Sequence, residues 1–81
     1  MADETVDVHL FAAARAAVGT SVLSVSPGPL SVILGGIEAE HAAFADVRPR
    51  CSYLVDGTSV HDDVVVAGGS RIDVLPPFAG G

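Results

Sequence analysis

The spacing of apolar residues near the start of the chain predicts a β-strand. Val6, Val8 and Leu10 alternate with Asp7 and His9, which is the two-residue period of a strand that buries one face. We expect further strands in segments 21–26, 51–55, 58–60 and 71–75. In the last of these, Ile72 and Val74 point inward. The pattern therefore predicts five short strands.

A period of three to four residues predicts two helices. Segment 11–18 is rich in alanine and places Phe11, Ala14 and Val18 on one face, and Gly19 follows where a helix C-cap is expected. The second helix carries four apolar residues at positions i, i+3, i+4 and i+7, namely Leu30, Ile33, Leu34 and Ile37. Its interior pair Gly35-Gly36 should cost about 1 kcal/mol per glycine relative to alanine. We expect close packing on the sheet to explain the pair.

Turn signals separate these elements. Pro27-Gly28-Pro29 is a break, Asp56-Gly57 is a strong hairpin signal, and segment 67–70 is a further break. Segment 41–50 is ambiguous, and we expect a short helical turn that carries Phe44 and Val47 inward. The order of elements predicts one α+β domain over residues 1–75, with a mixed five-stranded sheet and helices on one face. Residues 76–81 then form a flexible tail, because two consecutive prolines end sheet pairing.

Charge and composition narrow the possible partners. Ten acidic residues stand against four arginines and no lysine, for a net charge of −6, which argues against nucleic acid and anionic membranes as partners. A positively charged protein surface is the natural complement. No apolar run approaches the roughly 20 residues of a membrane span, the first residues are acidic rather than basic, and Cys51 is the one cysteine. These features favour a cytoplasmic protein.

Most of the chain offers no chemistry of its own. No lysine follows the glycines at 68–69, so they are not a phosphate-binding loop, and the three histidines lack the spacing of metal ligands. We therefore expect no metal site. Asp62 and Asp63 beside His61 would be solvated in a turn, and Cys51 is better explained as a small buried strand residue than as a sulfur relay.

The C-terminal residues are the candidate reactive group. A carboxylate becomes a good electrophile when it is adenylated, and for that the tail must reach ATP in a narrow channel of another protein. Gly80-Gly81 supplies the thinnest backbone for such a channel, and Pro76-Pro77 stiffens the base of the tail. Six residues from 76 to 81 reach roughly 20 Å when extended.

These residues resemble a known family. The ending 75–81, the opening 6–12, the segment 18–20 and the segment 53–57 are similar to the ubiquitin-like sulfur carriers, above all to the small subunits of molybdopterin synthase. The resemblance implies a ubiquitin-like β-grasp fold. It also implies that an ATP-dependent activating enzyme adenylates Gly81 and that a sulfur donor converts it to a thiocarboxylate. The large synthase subunit is then the partner in which sulfur passes to a pterin precursor of the molybdenum cofactor.

The resemblance also implies roles for the tail residues. Gly81 carries the sulfur and Gly80 gives it access, so these two are the catalytic residues of the complex, while the chain alone is no enzyme. The residues implied to bind partners are Leu75, Pro76, Pro77, Phe78 and Ala79. No cofactor is bound by the chain itself, because ATP is used by the activating enzyme.

Three alternatives stay open. The same carrier chemistry can serve thiamine, cysteine or another sulfur-containing metabolite. A ubiquitin-like modifier would instead form isopeptide bonds with target lysines, although a chain without lysine could not build polymers through its own side chains. The remaining alternative is an interaction domain whose terminal glycines have no role.

Overall fold

The computed structural model describes residues 4–77. Its elements are, in chain order, β1 (Val6–Leu10), α1 (Ala12–Val18), β2 (Val22–Val25), β3 (Gly28–Pro29), α2 (Leu30–Glu40), α3 (Phe44–Val47), a 3₁₀ turn (Arg48–Arg50), β4 (Ser52–Val55), β5 (Thr58–Val60), β6 (Val65–Val66) and β7 (Arg71–Leu75). The five predicted strands are all present. Across residues 4–77, no helix combines the length and apolar character that a membrane span requires.

Five strands form one mixed sheet in the order β2-β1-β7-β4-β5. β1 and β7 run parallel, whereas the β1–β2, β4–β7 and β4–β5 pairs are antiparallel. The predicted α+β fold with a mixed five-stranded sheet is therefore confirmed. β7, the last strand, lies at the centre of the sheet.

The core lies between the helices and one face of the sheet. Ile72 and Val74 of β7 are fully buried, as the alternation predicts, and so are Val6 and Val8 of β1. All four apolar residues of the predicted stripe on α2 are buried, and Phe44 of α3 is fully enclosed. Burying side chains of this size contributes about 1.5–3 kcal/mol each, so this layer supplies most of the stability of a small domain.

The predicted inclusion of Phe11 in the first helix is wrong. Ala14 and Val18 are buried, but α1 begins one residue later, and Phe11 is its extended N-cap residue with 37% of its surface exposed. Gly19 ends the helix as predicted, in the left-handed conformation at φ 90°, and its N–H donates to the carbonyl of Arg15.

The predicted hairpin between β4 and β5 is present. Asp56 and Gly57 have φ values of 49° and 82°, the left-handed pair that a tight two-residue turn requires. Asp56 also ties the turn to β7, because its Oδ1 accepts a hydrogen bond of 2.8 Å from the backbone N–H of Arg71. The aspartate therefore fixes the turn against the central strand.

A second, two-stranded sheet adds to the five predicted strands. β3 and β6 pair antiparallel, with Gly28 opposite Val66 and Pro29 opposite Val65. The Pro-Gly-Pro segment is thus a short strand before α2, as well as a break. Two-residue strands have no periodicity, so the sequence pattern cannot reveal them.

The pair Gly35-Gly36 and the glycine at position 68 have opposite surroundings. A Cβ atom at Gly35 or Gly36 would meet nothing within 4 Å, so the expected close packing of this pair is wrong. A Cβ at Gly68 would lie 2.8 Å from the backbone oxygen of Glu4 and 2.9 Å from its Cβ. Close approach to Glu4, which lies just before β1, thus requires a glycine at 68.

Candidate functional site

The strand that precedes residues 76–81 lies at the centre of the sheet. β7 pairs on one side with β1, through Leu10 opposite Val74, and on the other side with β4, through Ser52 opposite Leu75. A strand held on both edges is among the least mobile parts of a small domain. Pro76 and Pro77 therefore follow a strand whose position is rigid.

Leu75 lies on the outer face of the sheet, away from the helices. Its side chain is half-buried, and on this face it neighbours Ser52, Asp73 and Leu54. Asp73 accepts a hydrogen bond of 2.7 Å from Nε of Arg71 in an ion pair. The surface around Leu75 is therefore a mixture of leucines and charged groups.

The two prolines differ in their surroundings. Pro76 is buried and Pro77 is exposed, so the packed part of the domain includes Pro76. Together with Ala13, Asp46, Val47 and Arg50 they line a cleft of about 290 Å³. The cleft lies beside the point at which the tail departs, and it carries one cationic and one anionic side chain.

Four of the residues predicted for the site lie outside the described part of the chain. These are Phe78, Ala79, Gly80 and Gly81. Their predicted roles in partner binding and sulfur chemistry stay predictions. Pro76 and Pro77 lie beside residues of α1 and α3, whereas the preceding Leu75 faces the outer side of the sheet.

Cys51 has the surroundings of a structural thiol. It precedes β4 and is half-buried, and its Sγ donates a hydrogen bond of 3.3 Å to the carbonyl of Val47. Burial raises the pKa of the Cys51 thiol above its usual value. Since the thiolate is the reactive form, this cysteine is poorly suited to relay sulfur.

Tyr53 lies beside this thiol and also has a structural role. Its hydroxyl donates a hydrogen bond of 3.0 Å to the carbonyl of Arg48. Burial, followed by the neighbouring Cys51, raises the pKa of Tyr53 to about 12. The phenol is therefore neutral at physiological pH and holds the 3₁₀ turn to the sheet.

Asp63 has a function that sequence reasoning missed. Its Oδ1 accepts a hydrogen bond of 2.9 Å from the backbone N–H of Ser31, and its Oδ2 accepts one of 2.7 Å from the hydroxyl of Ser31. These two bonds lower the pKa of the Asp63 carboxyl. Pro29, the N-cap residue of α2, has no capping side chain, so Asp63 supplies the cap from a distant loop. The sequence feature that could have indicated this cap is the start of α2 at Pro29-Leu30, which has no polar N-cap residue.

Comparison with known proteins shows the family. A model of the ThiS family matches residues 8–81. This chain belongs to the ThiS family. The ubiquitin-like sulfur carriers expected from the sequence are thereby confirmed as its relatives, and the chain is a small carrier domain of the β-grasp type. No curated protein sequence matches the chain with significance.

Solved structures share the fold over nearly the whole chain. The small archaeal modifier protein SAMP1 from Methanosarcina acetivorans has 22% identity and a TM-score of 0.82, with 100% of each chain covered. SAMP1 from Haloferax volcanii has 19% identity and a TM-score of 0.79, covering 95% of this chain and 99% of that one. The Haloferax volcanii protein HVO 2177 has 26% identity and a TM-score of 0.76, covering 96% and 87%.

Proposed function

We propose that this ThiS-family carrier holds sulfur as a thiocarboxylate at Gly81. The carboxylate oxygen attacks the α-phosphorus of ATP on an activating enzyme, which releases pyrophosphate and leaves an acyl-adenylate. Sulfur from a donor then replaces AMP at the carbonyl carbon. The observation that carries the proposal is the geometry of the exit: the central strand β7 ends at Leu75, and two prolines lead the chain off the sheet.

The domain contributes presentation rather than catalysis in this proposal. A terminus that extends from a strand paired on both edges keeps its base fixed while the tail is inserted into a partner, and Pro77 limits the entropy lost on insertion. The partner supplies the channel and ATP, and Gly80 lets the backbone pass through it. The acidic composition and single cysteine support action in the cytoplasm alongside such enzymes.

The acceptor we propose is the large subunit of molybdopterin synthase, with a pterin precursor as the sulfur acceptor. Support comes from the resemblance of Pro76-Pro77-Phe78 to the tails of the small synthase subunits. A net charge of −6 complements a partner that is basic around a phosphorylated substrate. Thiazole and cysteine synthesis are the other acceptor pathways for the same thiocarboxylate.

A second candidate is a protein modifier. The fold shared with two proteins described as small archaeal modifier proteins favours it. In this role the activated Gly81 carbonyl would form an amide bond with an amine of a target protein. Because the chain lacks lysine, each target amine would receive a single copy unless the α-amine of another copy served as acceptor.

The test follows sulfur on the full-length protein. Incubation with an activating enzyme, ATP and a sulfur donor should replace one oxygen of Gly81 by sulfur, as located by intact-mass and C-terminal peptide analysis. A variant lacking Gly80-Gly81 should gain no sulfur, yet its thermal melt should nearly coincide with that of the full chain. Sulfur found on Cys51, with Gly81 still a carboxylate, would overturn the mechanism.

Reconstitution separates the two candidate functions. The thiocarboxylated protein, a large synthase subunit and the cyclic pterin precursor should yield molybdopterin with loss of sulfur from Gly81. Transfer to a thiazole or cysteine synthase instead would change the acceptor and leave the carrier chemistry intact. Isopeptide-linked conjugates formed from the adenylate, with no sulfur delivered to any small molecule, would favour the modifier.

A further inference from the structure

A trough on the helix side of the sheet is not used by the tail chemistry. It has a volume of about 540 Å³ and lies between α2 and the edge strand β5. Leu30 and Leu34 of α2 form one wall and Val60 of β5 the other, with Cys51 and Tyr53 between them. None of these residues lines the cleft beside the prolines.

Polar bridges close the trough at both ends. At one end Asp63 holds Ser31 through two hydrogen bonds, and at the other an ion pair of 2.7 Å joins Glu38 to Arg48. From Ser31 to Glu38 a helix rises about 10 Å, which equals the length of about three residues of extended chain. The trough is therefore as long as β5, which has three residues.

β5 offers a free edge beside the trough. It is the outermost strand next to β4, and backbone groups on the free edge of a strand can pair with another chain. Val60 and Thr58 point to the inner face, because they lie opposite Tyr53 and Val55 in the register. A strand added to this edge would present every second side chain to the same inner face, above the trough.

The charges on the rim select the occupant. His61, Asp62 and Asp63 follow β5 and are all exposed along the trough, and Glu38 lies at its other end. Arg48, the one arginine among the lining residues, is already paired with Glu38. The rim thus has excess negative charge over an apolar floor.

We propose that the free edge of β5 and this trough form a docking site for an extended segment of a partner protein. The segment pairs with β5 as an added strand, places apolar side chains at positions i and i+2 above Leu34 and Val60, and carries lysine or arginine beside Asp62. The cleft beside Pro76 and Pro77 shares no lining residue with this site, so the partner leaves that end of the domain uncovered. The site goes beyond the proposed sulfur chemistry and does not depend on it.

The test titrates full-length ¹⁵N-labelled protein with a capped peptide, Lys-Val-Thr-Val-Arg-Lys. Amide shifts should saturate at a Kd below about 1 mM and map to β5, residues 61–63 and the trough-facing side of α2. A peptide with both valines replaced by serine should bind at least tenfold more weakly. Shifts that map to the outer sheet face, or equal binding of the serine peptide, would refute the proposal.

Two further comparisons test the strand pairing and the charge. In one set of peptides the odd-numbered amides are N-methylated, and in the other set the even-numbered amides, so each set loses the N–H donors of one strand edge. The set that loses the donors facing β5 should not bind, and the other set should bind. Equal binding of the two sets contradicts an added strand. Asp62→Lys should weaken binding roughly fivefold, whereas Asp46→Lys, with the same change in net charge on α3, should leave it unchanged. Equal weakening by both variants would show non-specific attraction. Concentration-dependent shifts at β5 without peptide would identify a second copy as the occupant instead.

Discussion

The glycine pair within α2 is predicted to be replaceable with a gain in stability. Gly36 is exposed, Gly35 is half-buried, and a Cβ at either position meets no atom within 4 Å. Both lie in the interior of α2, so neither needs a conformation that only glycine adopts. Alanine reduces the freedom of the unfolded chain and favours the helix by about 0.8–1.0 kcal/mol per position.

The expected magnitude is large for a domain of this size. For chains of 60–100 residues, 1 kcal/mol shifts the melting temperature by about 4–8 °C. Gly36→Ala alone should therefore raise Tm by roughly 4–8 °C, and the double variant Gly35→Ala/Gly36→Ala by about twice as much. Thermal melts monitored by far-UV circular dichroism measure Tm, and urea titrations measure the free energy of unfolding.

Gly68→Ala is the matched control, because it makes the same chemical change in the opposite environment. Its Cβ would overlap the backbone of Glu4, and relieving such an overlap typically costs about 1–3 kcal/mol. Its Tm should fall while that of Gly36→Ala rises. If Gly36→Ala gave no gain or a loss, the argument from open space around the helix would be refuted. A more stable variant that no longer accepts sulfur would show that a partner contacts the glycines.

Three other outcomes are expected. Asp63→Ala should lower Tm at neutral pH, because the hydrogen bonds from Ser31 to the Asp63 carboxylate are lost. These bonds depress the folded-state pKa of Asp63, so their stabilisation is present above the ordinary carboxyl pKa of about 3.8 and is lost as pH falls through the folded-state pKa. The difference in Tm between the variant and wild type should therefore disappear in acid. Cys51 should react slowly with iodoacetamide at pH 7, and Cys51→Ala should still form the thiocarboxylate; rapid alkylation in the folded protein would contradict the raised thiol pKa. Phe78→Ala should weaken binding to the acceptor subunit by at least tenfold, about 1.4 kcal/mol, with little change in Tm. Unchanged affinity with a lower Tm would place Phe78 in the domain's own core.

The sheet and the main helix were predictable because their apolar residues follow simple periods. Val6, Val8, Ile72 and Val74 alternate along strands buried on one face only, and burial follows the alternation. Phe11 fitted the helical period equally well but lies at a helix boundary, where spacing gives little information. Local patterns thus predict the buried face of an element more accurately than they predict the residue at which the element ends.

Features that depend on distant contacts were not predictable. Asp63 caps a helix that begins more than thirty residues earlier, and the strand pair of Gly28 with Val66 spans a similar separation. At the candidate site, the outward direction of Leu75 followed from alternation, whereas the burial of Pro76 depends on packing at the end of β7. The chemistry assigned to Gly80 and Gly81 came from the tail sequence and from resemblance, and it lies outside the described residues.

The central position of β7 also has a consequence for how the protein folds. β7 pairs with β1 across more than sixty residues of intervening chain, so the sheet closes only when the last strand has been synthesised. Before that point β1 and β4 each lack a neighbour, and the inner face of the sheet lacks its central row of side chains. Folding is therefore expected to complete only once β7 is available, in a single late step with high contact order. A partner that recognises the folded sheet would then engage only copies whose β7, and hence the base of the tail, is already in place.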